Sequence, residues 1–592
     1  MTLAWGAALG ARCEPLGVHF EVWSDVAKYV SVVLYDRPRQ ISREVPLARR
    51  AEPEFFGAFV PGVRAGAWYD FRVDGQIAVD PYARSLPLGV HGPAQVVSPL
   101  APQSHGRRRI DLDANEVFYE IHVGTFTAEG TFAAATGRLS ELAKLGITVI
   151  ELMPIAAFPG TRGWGYDGVG LFAPYPAYGT PAELSAFVDA AHALGLGVVL
   201  DVVYNHLGPD GNALAAYSGS YFDAQRKNAW GAAPALEKPA FRQLILSNAQ
   251  YWLSTFGFDG LRLDATHELE PGGDPHILRA LSEVARATAP PSVLIAEDSR
   301  NDPQALLEHG LDAVWGDDFH HVLHVLLTHE RDGYYVDFEG DLNELAHVIQ
   351  NGQLFERRVI PQTGKRDRTA EQRIPLTRFL FALQNHDQVG NRAQGERLHT
   401  LSDFPAFRAA SLLLLFLPAT PLLFMGQEWA SSAPFLYFSD HHGALGEAVS
   451  RGRRQEFGKF AAFSCDCPSA IPDPQAETTF LRSKLDWSER TLPEHQATLR
   501  LYRQALELRR EDPVLREPSE ISVGTEAGFL WVVRRGRAGE RLLLFNPGSS
   551  RTVRDVAGRP LCQARRLLAT HPLPAMADSF ELPAASAAVF SL

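Results

Sequence analysis

Cysteine and positive charge are what this sequence is short of. Its 592 residues hold four cysteines, Cys13, Cys465, Cys467 and Cys562. They are scattered, and Cys465 and Cys467 are too close together for an easy bridge. A disulfide framework and a cysteine zinc site are therefore excluded, and the usage fits a reducing cytoplasm. Lys and Arg number 56 against 69 Asp and Glu, a net charge of −13, which excludes a broad nucleic-acid-binding surface. Long apolar runs are missing too. The most apolar stretch, Ser411 to Gly426, is too short to span a bilayer and is broken by Pro418 and Pro421. It reads as the end of a buried helix, a turn and a buried strand, so no membrane partner is expected. The segment Met1 to Gly10 has no basic start and no apolar core, and no signal peptide is expected.

Several reaction signatures are absent as well. There is no G-x-S-x-G elbow for an acyl hydrolase and no glycine fingerprint after a strand for nucleotide phosphates. A metal hydrolase would want a tight His and carboxylate cluster, such as two His at i and i+4, and no such cluster is read here. The adjacent pairs His320–His321 and His441–His442 read as loop or helix surface, because adjacent helix positions do not face together.

What is present is an ordinary globular composition, 46% hydrophobic and 21% charged, in a chain long enough for three or four domains at about 150 residues each. Residues 1–97 alternate in period two, as in Val18–Trp23, Val30–Tyr35 and Ala67–Val73, with turns at Pro61-Gly62 and Asp74-Gly75, and predict a β-sandwich. Residues 98–115 read as a linker whose Arg107-Arg108-Arg109 run is a solvated hinge. From 116 to 517 short apolar strands alternate with amphipathic helices. Eight strands are predicted: Val117–His122, Thr148–Leu152, Gly197–Val203, Asp259–Asp264, Val293–Glu297, Leu311–Trp315, Phe379–Gln384 and Thr420–Phe424. The fold class is α/β, a (β/α)8 TIM barrel with long insertions at 351–375 and 427–490. Residues 518–592 return to strands, including Gly528–Val533 and Arg541–Phe545, and predict a C-terminal β-sandwich.

In such barrels chemistry collects at the C-terminal strand ends, and here those ends carry acids and histidines. Strand one ends with Glu120 and His122, strand three with Asp201 to His206, strand four with Arg262 and Asp264, strand five with Glu297-Asp298, strand seven with Asn385-His386-Asp387. The loop after strand two carries Trp164-Gly-Tyr-Asp167. A group of carboxylates among aromatic and imidazole groups is the equipment of glycoside hydrolysis. Arg262 and Asp264 share a strand face, and a cation beside a carboxylate favours its charged form, suiting Asp264 to attack an anomeric carbon. Glu297 follows the apolar run Leu294-Ile-Ala296, and burial would raise its pKa enough to donate a proton. That pairing implies a retaining mechanism. Asp387 would hold sugar hydroxyls and favour ring distortion, His206 and His386 would hydrogen-bond the same sugar, and Tyr166 would offer an aromatic floor.

The stretches Asp201-Val-Val-Tyr-Asn-His206, Gly260-Leu-Arg-Leu-Asp264, Ala296-Glu297 and Gln384-Asn-His-Asp387 resemble, in order and spacing, the four motif regions of the α-amylase superfamily, glycoside hydrolase family 13. The resemblance implies Asp264 as nucleophile, Glu297 as general acid/base and Asp387 as transition-state stabiliser, with Asp201 and Arg262 among the substrate-binding positions. Tyr119-Glu-Ile-His-Val-Gly-Thr-Phe126 and the N-terminal β-domain look like the branch of branching enzymes, isoamylase-type debranching enzymes and maltooligosyltrehalose trehalohydrolases. Ala296–Asn301, Gln384–Arg392 and Gly452–Phe457, the last followed by Ser483–Trp487, look most like the trehalohydrolases. These act on maltooligosyltrehalose, an α-glucan, and release trehalose. Branching or debranching is the alternative within the family. Many members use the Asn of the first region, here Asn205, as a calcium ligand; no acidic cluster accompanies it, so no metal and no cofactor is expected. Where many amylases carry a Lys-His pair this chain has His267-Glu268, which we expect to help hold the trehalose end.

Overall fold

The structure is a computed structural model that describes residues 9–592 except 102, 114, 229–230, 357–366, 369–373, 457, 459, 461–470, 518 and 574–578. Phe457, Cys465, Cys467 and most of the 351–375 insertion lie outside the described residues.

Eight short parallel strands close into a barrel: β1 (Phe118–Ile121), β2 (Val149–Leu152), β3 (Gly197–Val202), β4 (Gly260–Leu263), β5 (Val293–Ala296), β6 (Ala313–Trp315), β7 (Phe379–Ala382) and β8 (Thr420–Phe424), with β1 pairing β8. These are the eight strands the sequence predicts; β4 and β5 stop one residue short of their predicted ends, at Asp264 and Glu297, where the chain leaves the sheet to present those side chains.

Alternation along each strand sends one set of residues inward. Phe118, Val149, Val199, Ile295, Ala313, Leu380 and Leu422 form an apolar cluster inside the barrel, and Ile110 and Leu112 join it from the preceding segment. Two residues further along the strands the inward positions turn polar: Glu120, Glu151, Asp201 and Arg262 are all buried. The outward set, including Ile150, Leu200, Leu261 and Leu294, packs in the main core.

Helices return the chain between strands. Pro181–Ala193 opens with a capping box in which Thr180 and Glu183 satisfy each other's backbone amides. Pro239–Thr255 and Phe404–Phe416 also begin on or beside proline, which supplies helical φ where no amide donor is needed. Between β1 and β2 the return is two short helices, Phe132–Thr136 and Leu139–Leu145, divided at Gly137.

Before the barrel stand two antiparallel sheets, one ordered Gly10–Glu14, Gly17–Trp23, Phe55–Pro61, Ala48–Arg49, the other built on Gln40–Pro46, Val30–Arg37, Trp68–Val73 and Gln76–Ala78. After it comes a five-stranded antiparallel sheet ordered Glu520–Glu526, Phe529–Gly536, Gly539–Asn546, Ser586–Ser591, Arg565–Ala569.

Two expectations are corrected. Arg107 and Arg108 are not a solvated hinge: Arg107 donates to Ser292 Oγ, and Arg108 donates its amide to Asp259 Oδ1 at 2.8 Å and its guanidinium to Glu116 at 2.9 Å. Only Arg109 is exposed. His320 and His321 are buried within the helix Asp317–Thr328, and His441 is buried too, while His442 is exposed. His320 and His324 do stand at i and i+4, but both rings have protein partners: Leu383 O and Tyr335 Oη for His320, Glu330 for His324. The 427–490 insertion carries helices of its own, Gly443–Glu456 and Glu477–Arg482. Among the described residues no helix is long and apolar enough to cross a membrane.

Arg509 ties the last long helix, Pro493–Glu511, to the barrel. It is buried and donates to the carbonyls of Leu415, Leu417 and Ala419 just before β8, at 3.1, 2.5 and 3.1 Å. Arg509→Ala orphans three buried acceptors and is expected to lower stability by about 3 kcal/mol. Arg503→Ala on the exposed face of the same helix is expected to change it by less than about 0.5 kcal/mol. Denaturant midpoints of the two variants check this.

Candidate functional site

The site is built outward from Arg262. Its partner on β5 is close: a Cβ on Gly260, two residues earlier on β4, would come within 2.6 Å of the Val293 carbonyl, so the strand start is reserved for glycine. Arg262 is fully buried in the barrel mouth, and its Nη1 donates to Asp201 Oδ1 (2.9 Å), Asp201 Oδ2 (2.8 Å) and Asp264 Oδ1 (2.9 Å). Nη2 stands 3.7 Å from Glu297 Oε2. The guanidinium carbon sits 4.1 Å from the ring centre of Trp315 at the end of β6, a cation–π contact made strong by the absence of water. A buried guanidinium costs several kcal/mol unless it is paired; Asp201, Asp264 and an indole face answer that cost, and in turn Arg262 holds these acids in one place.

Asp264 and Glu297 meet just beyond the ends of β4 and β5. Asn205, after β3, donates its amide to the carbonyl of Asp264 at 3.0 Å and to Oδ2 at 2.8 Å. The Asp264 carboxylate thus has Arg262 on one oxygen and Asn205 on the other. The next residue, Ala265, has φ 41° and ψ 58°, a left-handed conformation that costs an L-residue about 1–2 kcal/mol. That turn aims the Ala265 N–H at Glu297 Oε2, 2.6 Å away. Thr266 then binds the Glu297 carbonyl through its N–H at 2.8 Å and its hydroxyl at 2.9 Å. Burial pushes the Glu297 carboxyl up to about 8, against the pull of Arg262 and with the help of Asp264, Asp387 and Asp317. Burial thus favours the protonated carboxyl of Glu297 over its carboxylate.

The third acid comes from the turn after β7. Asn385 caps the short helix His386–Gly390, accepting from the amides of Asp387 and Gln388, while Gln388 returns a bond to the Asn385 amide. This fixes Asp387, whose side chain is 44% exposed and stands 3.4 Å from His386 Nε2. It is the most open of the three acids, since the side chains of Asp264 and Glu297 are 15% and 16% exposed.

Tyr166 connects these groups. Its hydroxyl donates to Asp201 Oδ2 at 2.7 Å and meets His386 Nε2 at 2.8 Å, and its ring stacks on the imidazole with centres 5.3 Å apart and planes 24° apart. Gly165 makes the approach possible: at φ +103° a Cβ would lie 2.2 Å from the Pro154 carbonyl. Burial pushes Asp201 up to about 6 despite Arg262 beside it.

Of the other residues singled out in the sequence, His206 lies one layer back, its Nε2 against the Tyr166 carbonyl at 2.8 Å and its Nδ1 against Asn205 Oδ1. His267 and Glu268 follow Asp264 on the turn Thr266–Glu268; His267 is half-buried and 3.3 Å from Ser299 Oγ, and the Glu268 side chain is 61% exposed. His122 is buried away from this group, between Thr125, Gly163 and Tyr178. Asn205 does not fit a calcium site: its oxygen is taken by His206, its amide by Asp264, and among the described residues no group of three or more His, Cys, Asp or Glu would hold a metal. Sequence reasoning missed Asn205 as a brace of Asp264, the Ala265 amide, the Trp315 face and the hold of Glu120 on His386, at 2.5 Å to Nδ1. The first and last carried a signal, a polar residue at a strand's C-terminal end; the Ala265 amide carried none.

The chain is similar to known proteins over most of its length. Residues 101–231 match the α-amylase catalytic domain, and residues 8–83 match carbohydrate-binding module 48, the isoamylase N-terminal domain. A malto-oligosyltrehalose trehalohydrolase of Deinococcus radiodurans is 45% identical, over 95% of this chain and 93% of its own. Its counterpart in Saccharolobus solfataricus is 34% identical, over 91% and 92%. The crystal structure of a Salmonella typhimurium protein described as a candidate α-amylase superposes with a TM-score of 0.87 at 37% identity, over 99% of this chain and all of that one.

The protonation of Glu297 can be read directly. In infrared difference spectra between the protein and its Glu297→Gln variant, a protonated-carboxyl band is expected at pH 7 and is expected to fade as pH rises through about 8. A band already absent at pH 6 would refute the assignment.

Proposed function

The chain belongs to the malto-oligosyltrehalose trehalohydrolases of the α-amylase family, and from that membership we propose how its residues carry out the family's reaction. It is a glycoside hydrolase. The bond cut is the α-1,4 bond next to the terminal trehalose of maltooligosyltrehalose, and trehalose is released together with a shortened maltooligosaccharide.

Asp264 attacks the anomeric carbon as the bond to the leaving oxygen breaks, and Glu297 gives that oxygen its proton. The glycosyl–Asp264 ester forms with inversion. Glu297, now a carboxylate, takes a proton from water, which attacks the same carbon from the face the leaving group vacated, and the second inversion restores the α configuration. The observation that carries this reading is the divergence of two neighbouring carboxyls: Glu297 is kept protonated by burial, while Asp264 receives a hydrogen bond on each oxygen, from Arg262 and Asn205. Paired titratable groups with environments pushed apart are how one site runs acid and nucleophile chemistry at one pH. Asp387, the most exposed of the three, is free to hold two sugar hydroxyls and favour the flattened ring of the transition state. His386, His206, Tyr166, Asp201 and Arg262 support the same sugar or the groups that touch it. His267 and Glu268 border the site on the turn that follows Asp264 and hold the trehalose end. The reading also takes residues 1–97, 116–517 and 518–592 as N-terminal, catalytic and C-terminal domains joined by the 98–115 linker. It places the enzyme in the cytoplasm on its sparse cysteines, with no nucleic-acid or membrane partner.

Product analysis on maltooligosyltrehalose, linear amylose and a branched glucan tests the reaction. Rapid trehalose release from the first, with little action on the others, is expected; new α-1,6 branches would identify a branching enzyme, and loss of branches from the third a debranching one. Asp264→Ala is expected to remove activity while leaving the fold and sugar binding intact. The kcat–pH profile is expected to fall as pH rises through about 8, because the folded-state proton of Glu297 is lost there. Glu297→Gln is expected to abolish that limb and to lower kcat by about 10²–10⁴. Changing Glu268 to Gln is expected to slow trehalose release more than hydrolysis of plain maltooligosaccharides; equal effects would rule out its role at the trehalose end.

A further inference from the structure

Two carboxylates are buried inside the barrel beneath the reacting acids. Glu120 on β1 and Glu151 on β2 are register partners on adjacent strands, each 1% exposed. A pair of acids in a packed interior is costly unless something answers it. For Glu120 the answer is His386, gripped by both oxygens: Oε1 lies 2.5 Å from Nδ1, and Oε2 accepts the backbone N–H at 3.0 Å. Three rings close round the imidazole, Trp164 and Trp315 edge-on at 5.5 and 6.0 Å and Tyr166 stacked at 5.3 Å. Glu151 has one oxygen without a partner, and burial raises its pKa well above the ordinary range, with Glu120 adding to the rise. Burial thus holds Glu151 neutral, and Glu120 is the member of the pair with a partner on each oxygen.

The hydrogens of this network can be counted. Tyr166 has one hydroxyl hydrogen, and it goes to Asp201. The 2.8 Å contact between the same oxygen and His386 Nε2 then requires the hydrogen to come from the ring. Nδ1 faces a carboxylate and needs a hydrogen as well. A ring that donates from both nitrogens is an imidazolium.

We propose that Glu120 is a positioning residue which holds His386 as a fixed imidazolium, so that its Nε2–H, and with it the Tyr166–Asp201–Arg262 chain leading to Asp264, keeps one orientation throughout the reaction. The inference rests on the assignment of Asp264 and Glu297 given above. The groups facing His386 agree with it. Glu120 from β1 and Asp387 from its own helix favour the charge, while burial and Arg262 from β4 oppose it; Glu151 from β2 is neutral, and the ring is raised to about 9. The imidazole of His122 is held neutral by burial, its pKa lowered to about 3. With Glu120 neutral, His386 sheds a proton, Tyr166 turns its hydrogen to Nε2, and Asp201 loses a donor while still bound to Arg262. The disturbance then reaches Asp264 through the Tyr166–Asp201–Arg262 chain.

The test is Glu120→Gln, an isostere that keeps the packing and removes the charge, assayed for kcat and KM against pH on maltooligosyltrehalose. The wild-type enzyme must first release trehalose and lose activity in Asp264→Ala; if it does not, the underlying assignment fails and not this one. The expected result is a kcat about 10- to 100-fold lower at pH 7 with KM within about threefold, and an alkaline limb moved down by at least about one pH unit. Glu120→Asp is expected to restore the limb in part, because it restores the charge. An unchanged profile, or a loss of kcat with the wild-type alkaline limb, overturns the proposal. Because a lone neutral Gln beneath a buried imidazole risks misfolding, a second comparison uses His386→Asn and Glu120→Gln/His386→Asn, in which both partners are neutral. Adding Glu120→Gln to His386→Asn is expected to cost less than about threefold in kcat; a further loss as large as in the wild-type background also overturns it.

Discussion

One buried cation sets the geometry of this enzyme. Arg262 has no access to water, so its charge has to be met by protein, and it is met by Asp201 from β3 and Asp264 from its own strand end, with the Glu297 carboxyl of β5 3.7 Å away. Each of these acids would repel the others at such range without it. The indole of Trp315 covers the guanidinium face. Remove the guanidinium and Asp201 and Asp264 lose the cation they share; the constraint runs both ways, and this is why the upper interior of the barrel is organised as a charge network and not as a hydrocarbon layer.

From that centre, the difference between nucleophile and acid is a matter of which hydrogen bonds each carboxyl receives. Asp264 is bound on both oxygens by side-chain donors. Glu297 receives the Ala265 amide and sits in a buried setting that keeps its proton. The left-handed turn at Ala265 links the two, since the same backbone segment that carries Asp264 delivers the amide to Glu297. A local strain of about 1–2 kcal/mol is tolerated there because the neighbouring contacts of Thr266 to the Glu297 carbonyl fix the turn.

The insertion after β8 is tied to the third acid. Arg453, on the helix Gly443–Glu456, donates to Asn391 Oδ1 at 2.7 Å and stacks on Tyr437 at 4.3 Å, and Asn391 Nδ2 lies 3.4 Å from Asp387 Oδ1. The segment after β8 is thereby fastened to the helix that bears the most exposed of the three acids. The histidines of the helix Asp317–Thr328 do comparable work from the other side: His320 bonds the Leu383 carbonyl just after β7, and His324 stacks on Tyr335 at 4.1 Å. Read in one dimension they looked like surface, because the loop 329–341 that covers them is distant in no way the period of a helix reveals.

The sequence by itself determined the eight strands, their order and the three acids at their ends, because strand burial and side-chain alternation are local properties and the residues that break the pattern, Arg262, Asp264, Glu297 and Asp387, break it where apolar runs stop. It also determined the family, through motifs whose spacing survives without coordinates. Tertiary structure alone decided which groups meet across the barrel. Glu120 lies 266 residues from His386, and Asn205 lies 59 from Asp264; nothing in either neighbourhood names its partner. It decided that the Tyr166 hydroxyl meets Asp201 and His386, that Arg107 and Arg108 are partly buried ties, and that the Asn205 amide braces an acid. Hydrogen bonds between distant strands depend on closure of the sheet, and closure is a property of the whole barrel that no single stretch encodes.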